Sequence, residues 1–336
     1  MTLAAADHGG YALASQPALC VALALTLDAV VAEPPETIHP VALFGRAIAL
    51  LDREWSRPRL VGVSIALCAP LTVAGAAWWL LETVAGSAVV GSIVAGLLLF
   101  STISLRRLLR RALAVITASE TDPEQAREML PALVGRDPSE LSPAAIRSAS
   151  VESLAENLAD GFVAPLLAFA LGTQVSLSVG VAAAVWVKAI NTLDSMLGYR
   201  EKPVGWASAR LDDLVMWLPA RLTAVLIALA ARNPDALRRA RHWEDAPPSP
   251  NSGWPMATLA ATLGVRLEKR GVYVLNPDAT VPDEPTARHA IRIVTIAGAL
   301  AGALVLAIAS VQILAIVSVQ IHPASMALVA EEVRTC

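Results

Sequence analysis

Charged residues are scarce in this chain. Asp, Glu, Lys and Arg make up 16% of its 336 residues, whereas an average soluble domain carries roughly 25%. The net charge of -3 provides no basic excess of the kind that binds nucleic acid, so nucleic acid is not expected as a partner. In place of charge, 55% of the residues are hydrophobic. They lie in long uncharged runs, which is typical of a chain that spans a bilayer.

Cysteine is scarce as well, because the chain has three cysteines, Cys20, Cys68 and Cys336, that lie far apart. The odd count and the lack of any CxxC or Cys/His pair argue against a disulfide framework and a zinc site. Cys20 and Cys68 lie in apolar runs and are expected to be packing residues. The sequence also lacks a GxxxxGK[ST] loop, a GxGxxG and an HExxH, and no Ser/His/Asp triad can be assigned. A nucleotide would have to bind without these motifs.

Six apolar runs approach the roughly 20 residues that a membrane-spanning helix needs. They cover residues 11–32, 60–81, 84–105, 162–187, 213–231 and 293–321. In the last run, Gly298 and Gly302 form a GxxxG pair that indicates close helix packing. We predict an all-α, polytopic transmembrane bundle that forms one integral membrane domain over residues 1–336. Its expected location is the cell membrane, as a multi-pass protein.

Polar motif segments join these runs at 33–59, 106–160 and 188–212, and segment 232–292 has the composition of a cytoplasmic loop. The density of Lys and Arg places 33–59, 106–160 and 232–292 on the cytoplasmic side. Strict alternation would then put 188–212 outside, although it carries four basic residues. A re-entrant or broken helix within the fourth or fifth run resolves this conflict, and irregular backbone is tolerated at membrane depth where it is buried in protein.

The densest acidic cluster comes just before the fourth run. Glu152, Glu156 and Asp160 follow i, i+4, i+8 spacing and would share one face of a helix, with Asn157 beside them. Like charges at this spacing repel, so a divalent cation, a substrate amine or a facing Arg should compensate them. The alternative is a solvated surface helix, but the abrupt start of an apolar run after Gly161 argues against it.

A second cluster extends directly from the fourth run. Lys188, Asn191 and Asp194 follow i, i+3, i+6 spacing and could share a helical face. Polar groups at membrane depth are costly, so they are functional candidates by default. The alternative is an interfacial Lys188 that reaches the headgroups, with Asn191 and Asp194 as local caps.

Three further clusters have open interpretations. The pair Asp212 and Asp213, flanked by Arg210 and Arg221, suits a Mg²⁺–phosphate site, an ion-pair network or the start of a helix. His39 and Arg46 follow Glu33, but a lone His before Pro is more often structural. Asn251 lies in Ser249–Gly253, which on its own is an ordinary turn.

Together these stretches resemble the CobD/CbiB family of cobalamin biosynthesis. The match covers roughly residues 27 to 275. Each stretch alone is weak evidence for the family, but their occurrence in the family's order is highly specific. The matching stretches are Glu33-Pro-Pro, His39-Pro-Val, Gly45-Arg46, Val134-Gly-Arg-Asp137, Val151-Glu-Ser-Leu-Ala-Glu-Asn157, Asp160-Gly161, Ala164-Pro165, Lys188-Ala-Ile-Asn-Thr-Leu-Asp-Ser-Met-Leu-Gly-Tyr199, Gly205-Trp-Ala-Ser-Ala-Arg-Leu-Asp-Asp213, Pro219-Ala-Arg221 and Ser249-Pro-Asn-Ser-Gly253.

The resemblance implies an adenosylcobinamide-phosphate synthase. This enzyme is described as joining aminopropanol, or its phosphate, to adenosylcobyric acid through an amide bond at the expense of ATP. ATP and Mg²⁺ are implied with it, as are the corrinoid and amine substrates and the lipid bilayer as partners. A membrane complex with other late enzymes of the pathway is a further expectation. Two other classes remain open, a corrinoid-binding transporter and a membrane sensor without catalysis.

On this interpretation the site residues fall into three groups. The predicted catalytic residues are Glu152, Glu156, Asp160, Lys188, Asp194, Asp212 and Asp213. The predicted substrate-binding residues are Asn157, Asn191, Arg210, Arg221, Asn251, His39 and Arg46. The predicted Mg²⁺ ligands are Glu156, Asp160, Asp194 and Asp213. The proposal requires the residues of 152–160, 188–194 and 210–213 to converge in one pocket.

Overall fold

A computed structural model describes the backbone of residues 3–35, 37–199 and 202–334, and side chains from residue 16 to residue 310 within those ranges. The α-helices there are α1 (Leu3–Val31), α2 (Pro40–Ala49), α3 (Pro58–Val84), α4 (Ala88–Phe100), α5 (Leu105–Thr121), α6 (Pro123–Met129), α7 (Pro143–Leu158), α8 (Ala164–Gly172), α9 (Leu177–Leu197), α10 (Trp206–Val215), α11 (Trp217–Ala230), α12 (Asp235–Ala240), α13 (Gly253–Leu263) and α14 (Glu284–Arg334). A π-helical turn joins α7 to α8, 3₁₀ turns lie at Leu130–Ala132 and Pro203–Gly205, and β1 (Leu267–Lys269) pairs antiparallel with β2 (Tyr273–Leu275). The predicted all-α class is confirmed.

Membrane-length apolar helices recur along the chain. In the described residues, five segments are long and apolar enough to cross a bilayer: Pro58–Val84, Ala88–Thr121, Pro143–Gly172, Leu177–Leu197 and Glu284–Ser310. The pair α10–α11 makes a sixth if it is counted as one span bent by 49°. Of the predicted first span, the part with described side chains is the shorter apolar helix Gln16–Val31. The multi-pass prediction is confirmed.

The break predicted within the fourth or fifth apolar run is found inside 162–187, where the chain turns back between α8 and α9 and does not form one straight span. Helix α8 ends at Gly172, and Ser176 caps α9 by accepting a hydrogen bond from the Val179 amide at 3.1 Å. The two helices then cross closely, since a Cβ on Gly172 would lie 2.8 Å from the Cα of Gly180. Small residues permit such close contact between helices. The acidic cluster of segment 106–160 therefore lies inside a membrane-length helix rather than before one.

The predicted span 84–105 also has a break. Helix α4 ends at Phe100, and α5 starts at Leu105 without a cap from the Ser104 side chain. Asp28, on α1, provides the cap instead, because its Oδ2 accepts a hydrogen bond from the Arg106 amide at 3.2 Å. A carboxylate is a favourable partner for the free amides of a helix N-terminus. Asp28, in the first apolar run, thus links α1 to the N-terminus of α5.

Segment 232–292 is more than the loop that its composition predicted. It holds the short helices α12 and α13 and the β1–β2 hairpin. Most of α13 is buried, and Leu267 and Leu275, which pair across the hairpin, are both fully buried. Helix α13 has eleven residues, which is too short for a helix that crosses a bilayer. The predicted turn is confirmed for Ser249–Ser252, which form a bend and turns up to Gly253, the first residue of α13.

Close packing at the GxxxG pair is confirmed. A Cβ on Gly302 would lie 3.0 Å from Leu25 Cδ1 of α1, and one on Gly298 would collide with Leu105 of α5. Cys20 is fully buried in the core, as predicted. Cys68, in contrast, is exposed, because α3 turns most of its side chains outward from the bundle. The prediction that Cys68 is a packing residue is wrong.

Candidate active site

A polar cavity of about 510 Å³ lies between α7, α9, the 131–136 loop and the hairpin. Its polar lining comprises Arg136, Glu152, Ser153, Glu156, Asn157, Asp160, Asn191, Asp194, Ser195, Tyr199, Lys269 and Tyr273. The first two predicted clusters therefore meet across one space, apart from Lys188. The i, i+4, i+8 spacing on α7 and its π-helical extension does put all three carboxylates on the cavity side.

Glu152 is held by three donors. Glu152 is buried, with 2% of its surface exposed. The Glu152 Oε2 accepts hydrogen bonds from Arg136 Nη2 at 2.6 Å and from the Tyr273 hydroxyl at 2.7 Å. The Oε1 accepts one from the Ser148 hydroxyl at 2.9 Å. Both oxygens are therefore occupied by protein groups. Of the three compensating groups considered for this cluster, a facing Arg is present at Glu152, and it is Arg136.

These bonds attach the hairpin to α7. The Ser148 hydroxyl accepts a hydrogen bond from the Glu268 amide at 3.0 Å, and Arg136 Nη1 donates to the Glu268 carbonyl at 3.3 Å. Burial and the adjacent Glu152 carboxylate raise the pKa of Tyr273 well above its usual range. The phenol thus stays protonated and donates. One wall of the cavity is fixed by this network.

The other carboxylates are less engaged. Asp160 Oδ2 accepts one hydrogen bond, from Asn191 Nδ2 at 3.2 Å. Among the described residues, the carboxylates of Glu156 and Asp194 have no hydrogen-bond or ion-pair partner. Asn157 donates to the Ser153 carbonyl at 3.1 Å and to its hydroxyl at 3.0 Å, which leaves the Asn157 carbonyl oxygen for a ligand. These groups form the open side of the cavity.

Asp160 lies in the π-helical turn Ala159–Val163. The turn is fixed from outside, because the Gly161 carbonyl accepts a hydrogen bond from the Ser104 amide at 3.0 Å. Such single π turns are frequent at functional sites. The break between α4 and α5 and the position of Asp160 are therefore coupled.

Lys188 points into the protein. Its ammonium interacts electrostatically with Asp160 and Asp212. Asp212 is 8% exposed, and its Oδ1 has no hydrogen-bond partner among the described residues. Lys188 thus lies among carboxylates, which argues against the alternative of a lysine at the headgroups.

Lys188 also borders a smaller cavity of about 190 Å³ that contains the His39 cluster. There Glu33 pairs with Arg107, and His39 Nε2 lies 3.8 Å from Glu33 Oε2. His39 Nδ1 caps α2 by accepting from the Val41 amide at 3.2 Å. Arg46 is exposed and donates to the Thr37 carbonyl at 3.4 Å. His39 therefore has a structural role beside its place in this cavity.

The third cluster borders a second polar cavity of about 360 Å³. Asp213 lies in its wall, where its Oδ2 is 3.2 Å from Arg210 Nη1 and its Oδ1 accepts from the Ser249 hydroxyl at 3.2 Å. This cavity shares Asp194, Gly198 and Tyr199 with the 510 Å³ cavity. The three predicted motif segments therefore converge, but around two adjoining cavities.

Arg221 and Asn251 lie behind that wall. Arg221 Nη1 donates to Asn251 Oδ1 at 3.1 Å, and its guanidinium lies 4.4 Å from the Trp217 ring centre. Asn251 Nδ2 donates to the Asp213 carbonyl at 2.6 Å. These contacts hold Ser249–Gly253 against the α10–α11 bend, and neither residue lines the two polar cavities.

A metal site is not preassembled. In the part of the chain with described side chains, no group of three His, Cys, Asp or Glu is arranged to hold a metal ion. Asp213 lies on the second cavity, apart from Glu156 and Asp160 on the first. Mg²⁺, however, is usually bound by one or two carboxylates with water and substrate phosphates. The predicted Mg²⁺ set therefore stays a prediction.

Comparison with known proteins gives a consistent result. The family described as CobD/Cbib protein matches residues 21–301. This chain belongs to that family. The "Probable cobalamin biosynthesis protein CobD" of Methanothrix thermoacetophila is 37% identical over 84% of this chain and 93% of its own length. The "Cobalamin biosynthesis protein CobD" of Klebsiella pneumoniae is 39% identical over 74% and 81%. No solved structure matches.

The structure also shows cavity residues that the sequence analysis did not select. Arg136 lies in the Val134–Asp137 stretch of the family resemblance, so that stretch was a usable signal. Lys269 and Tyr273 are on strands of three residues each, too short for a periodic pattern to reveal.

Proposed function

We propose that this protein acts in cobalamin biosynthesis as an adenosylcobinamide-phosphate synthase of the cell membrane. It would join aminopropanol or its phosphate to adenosylcobyric acid, with ATP as the energy source. The observation that carries the proposal is the convergence of Glu156, Asp160 and Asp194 on one polar cavity. Among the described residues, the Glu156 and Asp194 carboxylates have no hydrogen-bond or ion-pair partner. Family membership and the names of the relatives support the pathway.

The open carboxylates suit an amine substrate. An ammonium group would be attracted to Glu156 and Asp194, since opposite charges interact strongly at a partly desolvated site. Amide formation requires the neutral amine, and a positioned carboxylate can take its proton. One of Glu156 and Asp194 would take a proton from the ammonium to give the neutral amine. When the nitrogen then bonds to the activated carboxyl carbon and phosphate departs, the second proton would pass to the other carboxylate. Asn157 and Asn191 would orient polar substrate groups.

The residues present also fit Mg²⁺ and ATP. The buried Asp212 Oδ1, which has no hydrogen-bond partner among the described residues, and the Asp160 and Asp194 carboxylates are hard oxygen ligands of the kind Mg²⁺ prefers. Bound Mg–ATP would supply the phosphoryl group that makes the corrinoid carboxylate reactive. Lys188, among these carboxylates, would hold developing negative charge.

Ligation by the purified protein tests this proposal. Detergent-solubilised protein is incubated with adenosylcobyric acid, Mg-ATP and each amine, and the amide product is quantified. We expect product with the wild type and a loss of roughly 100-fold or more with Asp194→Asn, the scale of a lost proton acceptor. Glu124→Gln, at an exposed ion pair with Arg127, is the matched control and should be fully active.

Two results would contradict the proposal. Wild-type protein that forms no amide with either amine would exclude the ligase. Full activity of Asp194→Asn would remove Asp194 from the site. Corrinoid uptake into liposomes without amide formation would instead support a transporter.

A further inference from the structure

Three basic side chains line the 360 Å³ cavity, and the amide formation proposed above assigns no role to them. Arg59 comes from the start of α3, Lys202 precedes α10, and Arg210 is on α10. The rings of Tyr199 and Trp206 line the same space and are about half exposed. A cavity with three cations and two aromatic rings is suited to a phosphorylated ligand.

Much of this donor capacity is unused by the protein. Arg59 has no hydrogen bond or ion pair among the described residues. Arg210 uses Nη1 for Asp213, and its side chain is 67% exposed. Lys202 pairs with Asp52 at 2.5 Å and lies 5.4 Å from the Tyr199 ring centre. The two arginines thus retain N–H groups for a bidentate contact with phosphate oxygens.

This cavity adjoins the 510 Å³ cavity that contains the Glu156 and Asp194 carboxylates. Asp194, Gly198 and Tyr199 border both. Gly198 keeps the partition thin, because a Cβ there would collide with the Asp194 side chain. A ligand in one cavity therefore lies beside a ligand in the other, at Asp194.

We propose that the cavity of Arg59, Lys202 and Arg210 binds the phosphate of a substrate, next to the carboxylates that receive the amine. The inference rests on the proposed function. The phosphate belongs either to a nucleoside triphosphate or to the phosphorylated amine, and both present the same chemistry to the arginines. Arg221 is not part of this site, since Asn251 and Trp217 occupy its guanidinium.

Equilibrium dialysis on the full-length protein in detergent tests the site. Labelled Mg-ATP and labelled aminopropanol phosphate are measured separately with wild type, Arg59→Gln and Arg210→Gln. Each variant should raise the Kd of one of the two ligands about tenfold, the scale of one charge-assisted hydrogen bond. The affected ligand identifies the source of the phosphate. Arg238→Gln is the matched control, because Arg238 is 85% exposed and pairs at i, i+3 with Asp235 as Arg210 does with Asp213.

Two results would overturn the site: no binding of either ligand by the wild type, or an unchanged Kd for both ligands in both variants. A second measurement needs no variant. Phenylglyoxal modification of Arg59 and Arg210, read by peptide mass spectrometry, should slow several-fold when the ligand is bound, and modification of Arg238 should not. Equal rates with and without the ligand would also overturn the site.

The same preparations separate this inference from the proposed function. Amide formation by wild type together with unchanged phosphate affinity in both variants would reject the cavity and keep the ligase. Phosphate binding that depends on Arg59 and Arg210, without any amide product, would support the phosphate site and reject the proposed ligase function.

Discussion

Glu152 and Glu156 lie one helical turn apart on α7 and border the same cavity, but their surroundings are opposite. Glu152 accepts hydrogen bonds from Arg136, Ser148 and Tyr273, whereas the Glu156 carboxylate has no hydrogen-bond or ion-pair partner in the described part of the chain. Sequence spacing alone treats the two as equivalent. The comparison shows that spacing finds the carboxylates that face a site, and that partner geometry separates those that build it from those left for a ligand.

The same division holds for the whole cavity. Its fixed wall consists of α7, the Arg136 loop and the hairpin, joined through Glu152. Its open side carries Glu156 and Asp194. A functional site needs a supporting shell that holds reactive groups in place. We therefore interpret Glu152, predicted as catalytic, as a positioning residue.

The largest stability effect should follow loss of the fixed carboxylate. Glu152→Ala leaves the Arg136 guanidinium and the Tyr273 hydroxyl without their buried acceptor, and breaking a buried ion pair costs about 3–5 kcal/mol. Thermal unfolding in detergent should show a clearly lower Tm. The control Glu124→Ala removes an ion pair whose acidic side chain is 83% exposed, and it should change the Tm little. Equal Tm values for the two variants would show that the network is not a support.

An intermediate effect is expected at the partition between the cavities. Gly198→Ala would place its Cβ against the Asp194 side chain and 2.7 Å from the Asp194 carbonyl oxygen, so the carboxylate has to move. Displacement of a reacting group by about 1 Å can cost roughly 100-fold in rate. The ligation rate should fall on that scale. Gly75→Ala, on a helix with nothing within 4 Å of the new methyl, is the control, and equal rates for both variants would refute the role of Gly198.

The smallest effect is expected at Tyr273. Tyr273→Phe removes one of three hydrogen bonds to Glu152 and keeps the ring, so stability should fall by about 1 kcal/mol. Ligation should fall far less than in Gly198→Ala, because Arg136 and Ser148 still hold the carboxylate. A loss of activity as large as that of Asp194→Asn would mean that the phenol takes part in the chemistry.

Much of this arrangement could be predicted from the sequence. The periodicity on α7 put three carboxylates on one face, and the prolines and glycines of the fourth and fifth runs indicated broken helices. The exact position of the turn after Gly172 could not be predicted, because α8 and the start of α9 are joined by a tight turn and together have the hydropathy of a single apolar run. The hairpin was missed because strands of three residues carry no pattern, and with it Tyr273, one of the three donors to Glu152.

The most direct test compares Glu152→Gln with Glu156→Gln in one set of preparations, with the ligation rate and the Tm measured for both. The two substitutions are chemically identical and lie one turn apart. We predict that Glu156→Gln loses roughly 100-fold or more in rate at a near-normal Tm, and that Glu152→Gln lowers the Tm with the smaller loss of rate. A Glu156→Gln protein with normal activity, or two variants that lose rate and Tm in parallel, would contradict the account.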